Sequence, residues 1–429
     1  MTAKGIESRL KNSDRTCVAS HAKSSVDVLA VFGGSPLFDQ LLHVGRPNMP
    51  DTENLLTRLR RVLDRKWLTN DGPEVQEFER QVATLLGVRH CVAMCNGTSA
   101  LQTAIRAAGL SGEVIVPSFT FIATAHSLEW QGIEPVFCDI DDSFCLDPRE
   151  VEKLITPRTT GVIGVHLWGR ACNVEELTDL CRRRNLSLLF DAAHAFGCSS
   201  NGKMIGSFGR AEIFSFHATK FVNTLEGGAV ATNDDDFAER CRAMRNFGFS
   251  GEDEVSSLGI NAKMNEFEAV MGLASLAQMG EVIAANRRNY FEYEEGLKDI
   301  PGVRMRLCDL REQNNFQYIV IEVGADAGLT RDQLHELFQA ENILARRYFH
   351  PGCHCMEPYR SRGAAAEWHL PRTARASDTM LCLPTGSSID AATIGAICAL
   401  LRFAVRNHSE IERRWKARTK VPLPAGILR

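Results

Sequence analysis

Residues 90–140 read HCVAMCNGTSALQTAIRAAGLSGEVIVPSFTFIATAHSLEWQGIEPVFCDI, and this stretch decides the fold class. HCVAMC (90–95), EVIVPSF (113–119) and EPVFCDI (134–140) are short apolar runs of strand length. Between them, NGTSALQTAIRAAG (96–109) reads as a turn and a helix, and ATAHSLEWQG (123–132) as a second helix. Strands alternating with helices predict a mostly parallel sheet with helices on both faces.

The same rhythm continues downstream. DPREVEKLI (147–155) and NVEELTDLCRRRN (173–185) read as helices. TGVIGVHLWG (160–169), LSLLFDAAHAFG (186–197), AEIFSFHATK (211–220) and GGAVATND (227–234) read as strands. Upstream, LLTRLRRVLDRKWL (55–68) and EVQEFERQVATLLG (74–87) carry apolar residues at helical spacing. The C-terminal part changes character: a long helix over 265–297, a strand over NNFQYIVIEV (314–323), a helix over RDQLHELFQAEN (331–342), a strand over LARRYF (344–349) and a helix over 390–407. The expected organisation is a polar tail over 1–25, a large α/β domain over 26–275, a small α+β domain over 276–408 and a loose tail over 409–429.

Composition narrows the class. The 429 residues are 44% apolar and 24% charged, which excludes whole-chain disorder, and 33 Gly with 15 Pro show no collagen-like repeat. A net charge of −4 offers no basic footprint for nucleic acid and no polybasic face for a membrane. The 14 cysteines are scattered, and the first twenty residues are charged without an apolar core. Free thiols in the cytoplasm are therefore expected, and the Asn96-Gly97-Thr98 sequon carries no meaning there. The longest clean apolar runs are about ten residues, well short of a membrane span.

In an open parallel sheet, ligands bind at the carboxyl ends of the strands. Three such ends carry chemistry. Asn96-Gly97-Thr98-Ser99 opens a helix; its amides and hydroxyls suit a phosphate, although an ordinary helix cap reads the same way. Asp191 ends a very apolar strand and needs a cation nearby, the alternative being a structural salt bridge or helix cap; His194, three residues on, reads equally as a packing histidine. Lys220 follows another apolar strand, where desolvation makes a lysine an amine nucleophile; the alternative is a solvated side chain. Together they meet the needs of pyridoxal 5′-phosphate: a lysine for the aldehyde, an acid for the ring nitrogen, a helix start for the phosphate. The cluster His350-Pro-Gly-Cys353-His354-Cys355 is spaced too tightly for a structural zinc pair, so no metal is expected and the segment reads as a strand-to-loop transition.

From about residue 30 to 405 the chain resembles the DegT/DnrJ/EryC1/StrS family of pyridoxal-phosphate sugar aminotransferases. The resemblance lies in WLTNDGPEVQEFE, NGTSALQTAI, VIVPSFTFIATA, PVFCDID, GVIGVHLWG, DAAHAFG, FSFHATK, EGGAVATND, GINAKMNEFEAVMGL and LCLPTGSSI. It implies fold type I, the aspartate aminotransferase-like fold, working as a homodimer with shared active sites. It also implies roles: Lys220 as the cofactor lysine, Asp191 at the pyridine nitrogen, and His194 beside the 3′-oxygen, where many relatives have Gln. Gly97, Thr98 and Ser99 would form the phosphate loop, with Ser215 as a second contact and Phe121 stacked on the ring. Asn261 would reach the phosphate from the other subunit; many relatives carry Arg at Lys263, to which no role is transferred.

Within the family, LARRYFHPGCHCMEPYRS resembles the branch that makes 4-amino-4,6-dideoxyglucose on dTDP, as in desosamine-type pathways, although Tyr or Phe often stands at His350 there. The implied reaction moves the amino group of L-glutamate to C4 of dTDP-4-dehydro-6-deoxyglucose with ping-pong kinetics. The rivals are amination of a 3-keto sugar nucleotide, a sugar 3-dehydratase, which would lack the lysine, and a non-catalytic regulator.

Overall fold

The computed structural model describes residues 22–362 and 368–417. The expected tails over 1–21 and 418–429 lie outside the described residues, as do 363–367. Seven strands form the large sheet: β1 (His90–Met94), β2 (Glu113–Pro117), β3 (Glu134–Cys138), β4 (Thr159–Val165), β5 (Ser187–Asp191), β6 (Ala211–Ser215) and β7 (Gly228–Thr232). Their order is β1-β7-β6-β5-β4-β2-β3. All pairings are parallel except those of β7, which runs antiparallel to both β1 and β6. The mostly parallel α/β sheet follows from the alternation in the sequence; the reversed β7 does not.

The strands read as near-continuous apolar runs because both faces are covered. On one face Val92, Val116, Leu189 and Val230 pack beneath α3 (Gly97–Ala107), α4 (Ala123–Glu129) and α7 (Asp235–Arg245). On the other, Ala93, Phe214 and Ala229 meet α2 (Pro73–Leu86) and α8 (Glu266–Ala277), while Val162, Leu188 and Phe190 meet α6 (Val174–Arg184). The preceding helix α1 covers Thr52–Arg65 and α5 covers Pro148–Leu154.

The long helix expected over 265–297 is two helices, α8 and α9 (Met279–Gly296), bent by 59°. The two halves serve different cores. Ala269 and Leu273 of α8 pack under the large sheet, whereas Tyr290 and Tyr293 of α9 enter the small domain. No single described helix is long and apolar enough to cross a membrane.

The small domain is built on an antiparallel sheet of β8 (Val303–Met305), β9 (Ile319–Val323) and β10 (Met380–Leu383). Around it lie α9, α10 (Arg331–Ala340), α11 (Pro371–Thr379), α12 (Ala391–Arg406) and α13 (His408–Ala417). Three expectations need correction here. Residues 26–43, assigned to the large domain, put Val26, Leu29, Phe38 and Leu42 into the small core. They are tied there by Glu341, whose carboxylate accepts the amides of Ala30 (2.8 Å) and Leu37 (2.7 Å). Residues 409–417, read as loose tail, lie in α13, with Ile411 buried in the same core. LARRYF is not a strand: only Ile343–Leu344 pair, in parallel with Leu42–His43, and Arg346 then bridges Cys382.

Candidate active site

The carboxyl end of β5 delivers Asp191, which is 8% exposed. Its carboxylate accepts from the Ala193 amide (3.1 Å) and from the Thr124 hydroxyl (2.9 Å). Thr124 is itself held by Thr120 at 3.1 Å. Among the described residues Asp191 makes no ion pair. Burial raises its pKa and favours the neutral form, against the hydrogen bonds and the charge of Lys220.

Lys220 sits in the loop after the neighbouring strand β6. That loop is braced by the Lys220 amide to the His217 carbonyl (2.8 Å) and by Gln317 Nε2 to the Thr219 carbonyl (3.1 Å). The Lys220 side chain is half-buried, and desolvation holds its amine down at about 8 despite the opposing pull of Asp191. Its Nζ lies 3.2 Å from the hydroxyl of Tyr318.

His194 lies over the same ground. Its ring is 4.4 Å from the Tyr318 ring and stacks on Phe349 at 5.8 Å. Burial, reinforced by Lys220, keeps the imidazole far below its ordinary value, so it is neutral. Nδ1 accepts from the Trp168 amide at 3.5 Å, which leaves Nε2 to carry the hydrogen.

The start of α3 closes the other side. Asn96 caps it by accepting the Ser99 amide at 2.7 Å. A Cβ on Gly97 would lie 3.0 Å from Cβ of Ser215, so the helix start and Ser215 are neighbours. Gly228, where β7 begins between them, would put a Cβ 2.5 Å from the Asn96–Gly97 backbone; only glycine lets this turn settle onto the sheet. Phe121 stands before α4 and is 58% exposed.

Asn261 lies apart, in an antiparallel bridge with Asn246. Lys263 donates to Asn261 Oδ1 (2.7 Å) and to Asn246 Oδ1 (3.0 Å) and lies 4.6 Å over the Phe247 ring. An ammonium only donates, so it turns both amide oxygens inward and leaves Asn261 Nδ2 facing away. A cavity of about 620 Å³ lined by Arg240, Arg242, Arg245, Asn246 and Lys263 opens beside it.

Cys353, His354 and Cys355 of the 350–355 cluster are spent on packing. His354 Nδ1 meets Ser118 Oγ at 2.6 Å, Cys353 Sγ points at the Thr120 carbonyl at 3.3 Å, and Cys355 Sγ meets His354 Nε2 at 3.2 Å. These contacts press the segment onto the 118–121 loop that carries Phe121. The sequence pattern assigns no role to Thr124, Tyr318 or Lys263. Thr124 and Lys263 stand inside motifs of the resemblance, PSFTFIATA and GINAKM, whereas Tyr318 comes from another domain, 98 residues from Lys220.

The model of the DegT/DnrJ/EryC1/StrS aminotransferase family matches residues 50–402. The dTDP-4-amino-4,6-dideoxy-D-glucose transaminase of Shigella dysenteriae is 34% identical over 362 residues, 84% of this chain and 98% of that protein. The Escherichia coli protein of the same name is 34% identical over 367 residues, 85% of this chain and 98% of its own. A crystal structure of DesI in the presence of its TDP-sugar product superposes with a TM-score of 0.88 at 49% identity, covering 91% of this chain and all of that one. With a family model spanning both domains and relatives matched over nearly their whole length, the chain belongs to the DegT/DnrJ/EryC1/StrS aminotransferases.

Proposed function

We propose that this sugar aminotransferase takes the amino group of L-glutamate and places it on C4 of dTDP-4-dehydro-6-deoxyglucose. The observation that carries the reading is the pairing at adjacent strand ends of a desolvated amine, Lys220, with a buried carboxylate, Asp191, that has no cation in contact. The acceptor rests on the two transaminases named for dTDP-4-amino-4,6-dideoxy-D-glucose and on DesI with its TDP-sugar product.

Aminotransferases of this family use pyridoxal phosphate, and the residues here fit it. When bound, it supplies an aldehyde that accepts amino groups and a ring whose protonated nitrogen draws electrons from a neighbouring carbon. Lys220 is the residue to hold the aldehyde and, once released, to take up a proton at Nζ and return it. Asp191 is suited to the ring nitrogen, because a buried carboxylate short of donors gains most from a cationic neighbour. Thr124 fixes one of its oxygens. Neutral His194 offers Nε2–H to the 3′-oxygen. Gly97, Thr98 and Ser99 at the α3 start, with Ser215, suit the phosphate. Phe121 is an aromatic ring suited to covering the cofactor face.

A second copy of the chain completes this reading. Phe247, Phe249, Val255, Leu258 and Ile260 leave an apolar surface exposed around Asn261, a patch that suits an interface. Asn261, its amide turned outward by Lys263, then serves the partner's phosphate. The thirteen described cysteines are free thiols, which suits the cytoplasm.

The test is an assay of 4-keto and 3-keto sugar nucleotides with glutamate, following 2-oxoglutarate and the aminosugar by mass spectrometry. Turnover of the 4-keto dTDP sugar is expected. Turnover confined to 3-keto sugars would replace the C4 assignment, and failure with every keto sugar would remove the function.

A further inference from the structure

We propose that the phenol of Tyr318 acts directly on the Lys220 amine, holding it in place and donating a hydrogen bond to its nitrogen whenever that nitrogen is uncharged. This rests on the reading of Lys220 as the cofactor lysine.

The geometry comes from the small domain. Just before β9, residues 315–318 dock onto both loops of the site. Asn315 Nδ2 donates to the carbonyls of His194 and Phe196, each at 3.1 Å, and Gln317 holds the Thr219 carbonyl. The next residue, Tyr318, lays its ring 4.4 Å from that of His194 and brings its hydroxyl 3.2 Å from Nζ. Among the described residues this is the one hydrogen bond made by either the amine or the hydroxyl. The hydroxyl is therefore aimed by backbone anchored at three points on the two loops it serves.

A phenol both donates and accepts; an ammonium only donates; a neutral amine has one lone pair. While Lys220 is charged, Nζ donates to the phenol oxygen, and the phenol hydrogen has no protein acceptor. Once Lys220 is neutral, the phenol hydrogen turns to the nitrogen lone pair. The bond reverses as Nζ gains and loses its proton, and Tyr318 keeps its own throughout. Burial makes the phenol far too weak an acid to give that proton up. The proton that Nζ carries comes from the substrate and returns to it, so Tyr318 ends each cycle unchanged.

Lys220 is also faced by Asp191 from β5, which favours the ammonium, and by neutral His194. Behind Tyr318 stand Tyr348, Cys198 and Cys382, all held neutral by burial. Tyr318 is thus the group in this shell that can bond Nζ in both of its protonation states.

The test is Tyr318→Phe, which removes the hydroxyl and keeps the ring on His194. In cofactor-stripped full-length protein, dinitrophenylation of Lys220 is followed against pH by peptide mass spectrometry. The wild-type midpoint is expected near 8. In Tyr318→Phe it should fall by about half to one pH unit, because the bond lost from the ammonium is charge-assisted and stronger than the one lost from the neutral amine. Turnover should fall roughly three- to tenfold, and raising the pH should not restore it, because the loss is one of positioning the amine. Replacing Tyr318 by 3-fluorotyrosine, a stronger donor of the same shape, should move the midpoint down, and this decides the matter if the Phe variant fails to fold. An unmoved midpoint in the folded variant, or an upward shift in either variant, would overturn the assignment. Mapping the borohydride-reduced cofactor adduct in wild-type protein tests Lys220 separately: an adduct on another lysine removes the reading beneath the proposal, whereas an adduct on Lys220 with an unmoved midpoint removes Tyr318 alone.

Discussion

Two carboxylates stand on neighbouring strands of the large sheet, and they are kept in opposite conditions. Glu212 on β6 pairs in register with Phe190, one residue before Asp191 on β5. Both carboxylates are buried. Glu212 is filled: it accepts from His166 Nε2 at 2.7 Å, from the Phe208 amide at 2.8 Å and from the Gly206 amide. His166 Nδ1 accepts the Cys172 amide at 3.0 Å, so the imidazole carries its hydrogen on Nε2 and donates it to Glu212. Asp191 has two donors, and burial pulls it toward protonation. A carboxylate that welds a sheet to its loops is saturated by its own chain; one meant for a ligand is left with capacity to bind it.

Mutations that act on chemistry and on stability should therefore separate along this line. The largest effect is expected from Lys220→Ala, which should abolish amino transfer and leave the melting temperature nearly unchanged. Steady-state assay with thermal unfolding checks both halves, and retained turnover would dissolve the contrast at its root.

Asp191→Asn comes next. It keeps size and hydrogen bonding but removes the charge, and should cost on the order of thirty- to a thousandfold in turnover, about 2–4 kcal/mol of barrier. Because the loss lies in the chemical step, kcat should fall more than glutamate affinity. A collapse of the fold with normal specific activity in the surviving protein would put Asp191 in the same class as Glu212.

Glu212→Gln should do the reverse. It sets an amide NH2 against groups that need an acceptor, at a cost of about 1–3 kcal/mol of stability. Denaturant unfolding should show that loss while kcat per folded molecule stays within a few fold. A kcat loss larger than the stability loss would mean that Glu212 and His166 act on Asp191 instead of on the sheet.

The smallest effect sharpens the picture at the site's far edge. Lys263→Met frees the Asn261 amide to rotate and should weaken cofactor retention about three- to tenfold, roughly one hydrogen bond. In a double-mutant cycle with Asn261→Ala the two losses should not add. Additive losses would make Lys263 a packing residue. Heterodimers of Lys220→Ala with Asn261→Ala should regain part of the activity if the site is shared between subunits.

Much of this could be read from the residues in order. The strand–helix alternation placed the sheet. Asn96–Ser99, Asp191 and Lys220 stood out at the carboxyl ends of their strands, because a local pattern marks where each strand stops. The docking of 315–318 onto two loops, the seat of residues 26–43 in the small core and the bend between α8 and α9 left no such mark. Each is a contact between segments far apart in the chain.

The same division runs through the site. Local order settled which groups can react: an amine after β6, an acid ending β5, a helix start after β1, each flanked by apolar strand that must be buried. Folding settled their condition. The reversal of β7 set Gly228 between Ser215 and Asn96, so that two stretches more than a hundred residues apart share one turn. Burial brought the Lys220 amine down to about 8 and left Asp191 short of donors, and the small domain brought the Tyr318 hydroxyl to Nζ. Reactivity of a side chain depends on desolvation and on the dipoles within a few ångströms, and those come from whichever strands and loops the fold sets beside it.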